Sequence, residues 1–236
     1  MYNLKYCGCT LLTEHNLYFT HISKTGGTFL LRNFIQPLFS KRAELTINNT
    51  KDKIGFSIIR NPYDWYVSMY YYSKNQNFKN LSFISDINIT LQNFCDILLD
   101  PFNNIDINVL KKGNHDFDKY LVYVLENCKL NIGMYTIEYI WRICYNYDIL
   151  FTCKSIDELQ KNLVENNTVK YWLKTETLDI ELPKFFKVGF NLNIDTKNKN
   201  RFETKGKKTQ ELLQETKDLI IDKEKIIFDI HYSDTM

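Results

Sequence analysis

The sequence predicts an α/β fold, a single domain built on a parallel sheet flanked by helices. Three strand-to-helix junctions predict it. Leu17–Leu30 (LYFTHISKTGGTFL) runs apolar, breaks at Ser23-Lys24-Thr25-Gly26-Gly27-Thr28, and runs apolar again. Lys53–Tyr72 (KIGFSIIRNPYDWYVSMYYY) repeats the strand-then-helix order, and Val169–Lys174 followed by Glu176-Thr177-Leu178 repeats it once more. Strands separated by helical stretches are joined by crossovers, which favour parallel pairing with helices on both faces. Ligands of such sheets bind at the carboxyl ends of the strands. No Pro/Gly/Ser-rich linker or internal repeat interrupts residues 1–236, so one domain is expected.

In the first junction an apolar strand meets a glycine loop and the first turn of a helix. That geometry aims backbone N–H groups and the positive end of a helix dipole at one point, which suits a phosphate or sulfate. The P-loop of ATP- and GTP-binding proteins reads Gly-x-x-x-x-Gly-Lys-Ser/Thr. Here Lys24-Thr25 precedes the glycine pair, and the leading glycine is missing. In the P-loop the hydroxyl after the lysine holds Mg²⁺, and nothing here clearly supplies that ligand pair. Lys24 with the amides of Thr25, Gly26, Gly27 and Thr28 therefore reads as an anion cradle that needs no metal. The bland alternative is an ordinary strand–turn–helix connection, which also favours glycine.

The second junction strengthens the first. Ile54, Phe56, Ile58 and Ile59 make a buried strand with Arg60 at its carboxyl end. Asn61 is a good N-cap and Pro62 suits the first helical position. Ser68 falls about two turns into that helix, roughly 10 Å from Asn61 along the axis. An extended arginine covers much of that distance, so Arg60 and Ser68 are candidates to grip one phosphate together. Taken singly, Arg60 is a strand-end salt-bridge residue and Ser68 a small helical one.

The middle of the chain is less patterned. Phe78–Thr90 reads as loop, Leu91–Leu99 as a helix ending near Pro101, and Phe102–Lys112 as a loop near an acceptor site. Tyr120–Glu126 and Thr136–Tyr145 read as helices whose aromatic faces, Trp141 included, are mostly core. Ile149–Cys153 reads as a short buried strand. Ser155-Ile156-Asp157-Glu158 is a capping box that starts a helix through about Val164. After Val169–Lys174 a helix is expected toward Phe186. The basic stretch Asn198–Lys208 precedes a long helical run from Thr209 to about Ile230.

Composition fits a folded enzyme: 44% hydrophobic and 15% aromatic residues support a sizeable core and argue against disorder. A net charge of +2 makes no case for nucleic acid as a partner. The six cysteines form no Cys-x-x-Cys pair, which argues against zinc and suggests buried, reduced thiols. No signal peptide or membrane span is read, so a soluble, cytoplasmic protein is expected.

Taken together, the two junctions resemble the sulfotransferase superfamily, in particular its membrane-type carbohydrate branch and related viral and bacterial enzymes. His21-Ile22-Ser23-Lys24-Thr25-Gly26-Gly27-Thr28 is similar to that family's 5′-phosphosulfate loop, with Ser23 where proline is usual. Arg60-Asn61-Pro62-Tyr63-Asp64 through Ser68 is similar to its 3′-phosphate motif. The likeness covers the first third of the chain most closely, with a looser echo in the Val169–Phe186 block. It implies a sulfotransferase fold, 3′-phosphoadenosine 5′-phosphosulfate (PAPS) as co-substrate without a metal, and a hydroxyl acceptor, with a carbohydrate favoured. In many relatives a basic loop before the last helices closes over the nucleotide, which nominates Arg201 and Lys205, with Lys207 and Lys208 beside them. A solvated charge run is the competing reading there.

The resemblance also assigns roles. Lys24 would meet charge growing on the leaving phosphate, while Thr25–Thr28 would cradle the 5′-phosphate and Arg60 and Ser68 the 3′-phosphate. Several relatives place a base in the mid-chain region, which nominates His115, with Asp116 orienting it or acting itself and His21 as a further candidate. His15 and His231 read as surface residues. Two other classes stay open: a Mg²⁺-dependent nucleotide or small-molecule kinase with an irregular P-loop, and a non-catalytic nucleotide- or glycan-binding relative.

Overall fold

The computed structural model describes residues 9–12, 16–39, 42–45, 52–113, 115–144, 146, 148–196 and 211–233. Its strands are β1 (Cys9–Leu12), β2 (Leu17–Thr20), β3 (Arg42–Leu45), β4 (Ile54–Ile59) and β5 (Val169–Lys174). They form one sheet in the order β3-β1-β2-β4-β5. β2 pairs with β4 in parallel, as β4 does with β5, so the three predicted strands lie side by side as expected. The sheet is nonetheless mixed, because β1 runs antiparallel to both β2 and β3. This corrects the all-parallel expectation. The few residues between Leu12 and Leu17 are too short a connection for the crossover that parallel neighbours require.

The helices are α1 (Gly27–Leu30), continuing through a π-helical turn at Leu31–Ile35 into α2 (Gln36–Leu38), then α3 (Pro62–Asn75), α4 (Leu91–Leu99), α5 (Pro101–Asn104) and α6 (Ile107–Leu110). After them come α7 (Asp116–Asn127), α8 (Met134–Ile143), α9 (Ile149–Thr152), α10 (Ile156–Asn166), α11 (Leu178–Phe190), α12 (Gln214–Lys223) and α13 (Lys225–His231). Local capping works as the sequence suggests. The Asn61 side chain accepts from the Tyr63 amide at 3.0 Å, with Pro62 opening α3. Ser155 caps α10 through the Glu158 amide at 3.2 Å, and Glu158 reaches back to the Lys154 amide.

Alternation along β4 divides the interior. Phe56 and Ile58 join Leu17, Phe19 and Leu173 in a core closed by α1, the π turn and α11. On the other face Ile59 enters a larger core supplied by α3, α4, α7, α8, α10, α12 and α13. The sheet is thus covered by helices on both sides, the α/β layering the sequence predicts.

Three expectations change. Ile149–Cys153 is not a strand: Ile149–Thr152 is a helical turn, closed by the Phe151 and Cys153 amides on the Asp148 and Ile149 carbonyls. A run of a few apolar residues has no period long enough to separate strand from buried helix. The Phe102–Lys112 loop holds two helical turns, α5 opened by Pro101 and α6 capped by Asp106. The long carboxyl-terminal helix is broken at Glu224, where φ −108 and ψ 21 end α12. Cys95, Cys128, Cys144 and Cys153 are buried free thiols. Among the described residues no helix is long and apolar enough to cross a membrane. Arg201, Lys205 and the rest of Asn198–Lys208 lie outside the described residues, as does His15.

Candidate functional site

β2 ends at Thr20, and the loop from His21 to Gly26 leads into α1 at the carboxyl edge of the sheet. Lys24 sits in the left-handed region at φ 62 and Gly26 at φ 94. The left-handed conformation is uncommon for a lysine and persists only where neighbours fix it. Here they do. Ser23 donates its amide to Glu138 Oε1 at 3.0 Å and accepts from Trp65 Nε1 at 2.9 Å. The Lys24 carbonyl accepts from Arg60 Nη1 at 3.1 Å. The Thr25 carbonyl accepts from the Thr175 hydroxyl at 2.6 Å, and the Thr25 hydroxyl donates to the Ile22 carbonyl at 2.8 Å. Bonds from Trp65 on α3, Arg60 just past β4 and Thr175 before α11 thus hold the loop carbonyls, and Glu138 on α8 holds the Ser23 amide, while the first amides of α1 have no carbonyl partner within their helix.

Gly27 packs flat against His21, and a Cβ there would be driven into the imidazole. Gly27→Ala is therefore expected to displace the loop and lower thermal stability, a combination readable by calorimetric melting and by the chemical shifts of the loop amides. His21 itself stacks on Phe19 with ring centroids 6.0 Å apart. Burial, then the Arg142 and Lys24 charges, lower its pKa to about 4. At neutral pH it is an uncharged, weakly basic ring, which fits support of the loop better than proton abstraction.

Lys24 is the electrostatic focus. Its ammonium lies 3.8 Å from the Tyr72 ring centroid, a cation–π arrangement. Burial, then the Arg60 charge, lower its pKa to about 8. It lines a cavity of about 500 Å³ together with His115, Asp116, Asp118, Glu138 and Arg142. Trp65, Met69 and Tyr72 supply one wall from a single stripe of α3, and Phe117 and Trp141 contribute aromatic surface. Arg142 stacks on Trp141 at 4.1 Å. The structure thus brings Lys24 and His115, separated in the chain by α1, α2, β3, β4 and α3–α6, into one space.

His115 is exposed and precedes α7. Its backbone amide donates to the Asp118 carboxylate, whose pKa burial raises against the pull of His115. Asp118 Oδ2 is buried and has no hydrogen-bond partner. Asp116 pairs instead with Lys119 at 3.6 Å. Arg60 Nε is likewise buried and unpartnered, while the Arg60 backbone is bracketed by the Tyr135 hydroxyl. Ser68 is buried on α3 and does not line the cavity. Thr28 is exposed on the first turn of α1.

His231, read from the sequence as a surface residue, is instead packed between Tyr139 and Trp172, and burial followed by the Lys174 charge depresses its pKa to about 3. Sequence reasoning missed Glu138, Arg142 and Trp65. The i,i+4 acid–base spacing of Glu138 and Arg142 was a signal for a helix pair, and their nitrogen–oxygen approach is 3.8 Å. Nothing local in the sequence links Glu138 to Ser23. Compared with known proteins, the chain matches no family model, no curated protein and no solved structure.

Proposed function

We propose that this chain is a PAPS-dependent sulfotransferase that transfers a sulfonyl group to an acceptor hydroxyl, with a carbohydrate as the favoured acceptor. The observation that carries the reading is Lys24, held on a fixed strand–loop–helix junction in the same cavity as His115. Sulfonyl transfer forms a bond from the acceptor oxygen to sulfur as the bond from sulfur to the 5′-phosphate oxygen breaks. The hydroxyl proton must leave, and negative charge grows on the phosphate.

In this scheme His115 takes the proton, for which its exposed position at the cavity suits exchange with solvent. Lys24 carries positive charge to the departing phosphate oxygen. The amides of Gly26, Gly27 and Thr28 and the Thr25 amide bind the 5′-phosphate, and Arg60 is assigned to the 3′-phosphate. Ser68, buried on α3, is assigned to the same phosphate. Trp65, Tyr72, Phe117 and Trp141 give the acceptor side flat apolar surface, and Asp116 and Asp118 give it hydrogen-bond acceptors.

Calorimetric titration with adenosine 3′,5′-bisphosphate, set against ATP with and without Mg²⁺, tests the reading. Tight, metal-independent binding of the bisphosphate with weak ATP binding is expected. Preference for Mg·ATP would replace the reading with a kinase, and no binding of either would remove nucleotide chemistry from the site.

A further inference from the structure

Helix α8 has no cap of its own. Its N-cap is Gly133, and no acidic residue lies in its first turn. The cap comes from far along the chain. Glu224, wholly buried between α12 and α13, turns its carboxylate onto that turn. One oxygen accepts from the Tyr66 hydroxyl and from the Tyr135 amide at 3.2 Å. The other accepts from the Thr136 amide at 2.8 Å and the Thr136 hydroxyl at 2.6 Å. All four partners donate, which suits an ionised carboxylate, and the positive end of the helix dipole adds to that preference.

From this turn α8 reaches the candidate site twice. Tyr135 places its hydroxyl between the Arg60 amide, 3.1 Å away, and the Arg60 carbonyl, 3.0 Å away. Glu138, one turn further on, accepts from the Ser23 amide at 3.0 Å. We infer that Glu224 is a positioning residue for the anion loop: its carboxylate clamps the first turn of α8, and α8 holds Ser23 through Glu138 and Arg60 through Tyr135. The inference borrows from the proposed function only the ligand used as one probe.

The clamp is built to respond to protons. Burial raises the Glu224 pKa to about 7, against the lowering pull of its bonds from Thr136, Tyr66 and Tyr135. The groups facing it are the Tyr66 phenol on α3, with the Cys95 thiol of α4 beside it, and the Tyr135 phenol on α8; burial raises all three. Neighbouring Lys223 gives its ammonium to Asn131. The two backbone donors approach different oxygens, and a protonated carboxyl keeps only one good acceptor for them. Because the folded value lies above the ordinary carboxylate value, this group's contribution to stability is complete below about pH 4.5 and is lost as pH rises through about 7. The charged clamp therefore orders the loop at a cost to global stability.

Hydrogen exchange on the whole chain tests this, comparing wild type with Glu224→Gln, whose amide also offers one acceptor oxygen. At about pH 8, Glu224→Gln is expected to speed exchange at Tyr135, Thr136 and Ser23 by about 10-fold and not to speed it in β2 or β4. Wild type should show the same loosening between about pH 8 and pH 6, after correction for intrinsic exchange, so a variant that fails to fold does not stall the test. The Kd for adenosine 3′,5′-bisphosphate should rise by about 10-fold in Glu224→Gln and lose its change across that range. Faster exchange at Tyr135 and Thr136 with Ser23 at the wild-type rate would overturn the inference. Exchange as expected in a chain that does not bind the bisphosphate would uphold the clamp and discard the donor assignment.

Discussion

In the proposed sulfonyl transfer, Lys24→Ala is expected to slow turnover by on the order of 10²–10³-fold while weakening donor-product affinity far less, since the removed charge would act mainly as the leaving phosphate becomes more negative. Single-turnover rates alongside calorimetric Kd values separate the two effects. The same residue sets a pH limit. With its pKa lowered to about 8, the ammonium is present below that value and lost above it. kcat/KM, which reports the free enzyme, should therefore fall above about pH 8, where an ordinary lysine would hold its charge for about two units more. Global stability moves the other way. Between the depressed folded value of about 8 and the ordinary 10.5, the unfolded chain binds more protons, so this residue makes stability rise with pH. Activity that stays level to about pH 10 would separate Lys24 from the chemistry.

Trp65→Ala is expected to cost about 3–5 kcal/mol in denaturant unfolding, a large share of the 5–15 kcal/mol typical of a folded domain. Trp65 is fully buried, stacks on Tyr135 at 4.5 Å and 6°, and meets Tyr66 edge-on at 5.0 Å. Its indole nitrogen also holds the Ser23 carbonyl. Two losses are thus combined: a cavity under α3 and a loop acceptor left without its donor. Trp65→Phe separates them. It keeps most of the ring packing and removes the hydrogen bond, which is worth about 1 kcal/mol in a typical protein setting. A Phe variant as damaged as the Ala variant would mean that the bond to the loop outweighs packing.

Much of this was legible in the chain. Asn61-Pro62 and Ser155-x-x-Glu158 start helices by bonds that span a few residues, and α3 and α10 begin where those caps stand. The strands Leu17–Thr20, Ile54–Ile59 and Val169–Lys174 were visible because mainly apolar or β-favouring stretches gave way to helix-starting residues such as the Ser23–Thr28 loop, Asn61-Pro62 and Glu176. β1 and β3 carried no such contrast. β1 pairs through a short connection with the edge of β2, and β3 with β1 in turn, partners that only the folded chain supplies.

By itself the sequence located the loop at Ser23–Thr28, the Arg60 corner and the order of strand and helix around them, because glycine, cap and turn residues mark such junctions locally. The tertiary structure alone decided that His115 would share a cavity with Lys24, that His231 would be packed between Tyr139 and Trp172, and that Glu138, Trp65 and Glu224 would hold the loop in place. Those contacts join residues 42 to 115 positions apart. Burial, which drives Lys24 and Glu224 to pKa values near neutrality, belongs to the packed chain and not to any stretch of it.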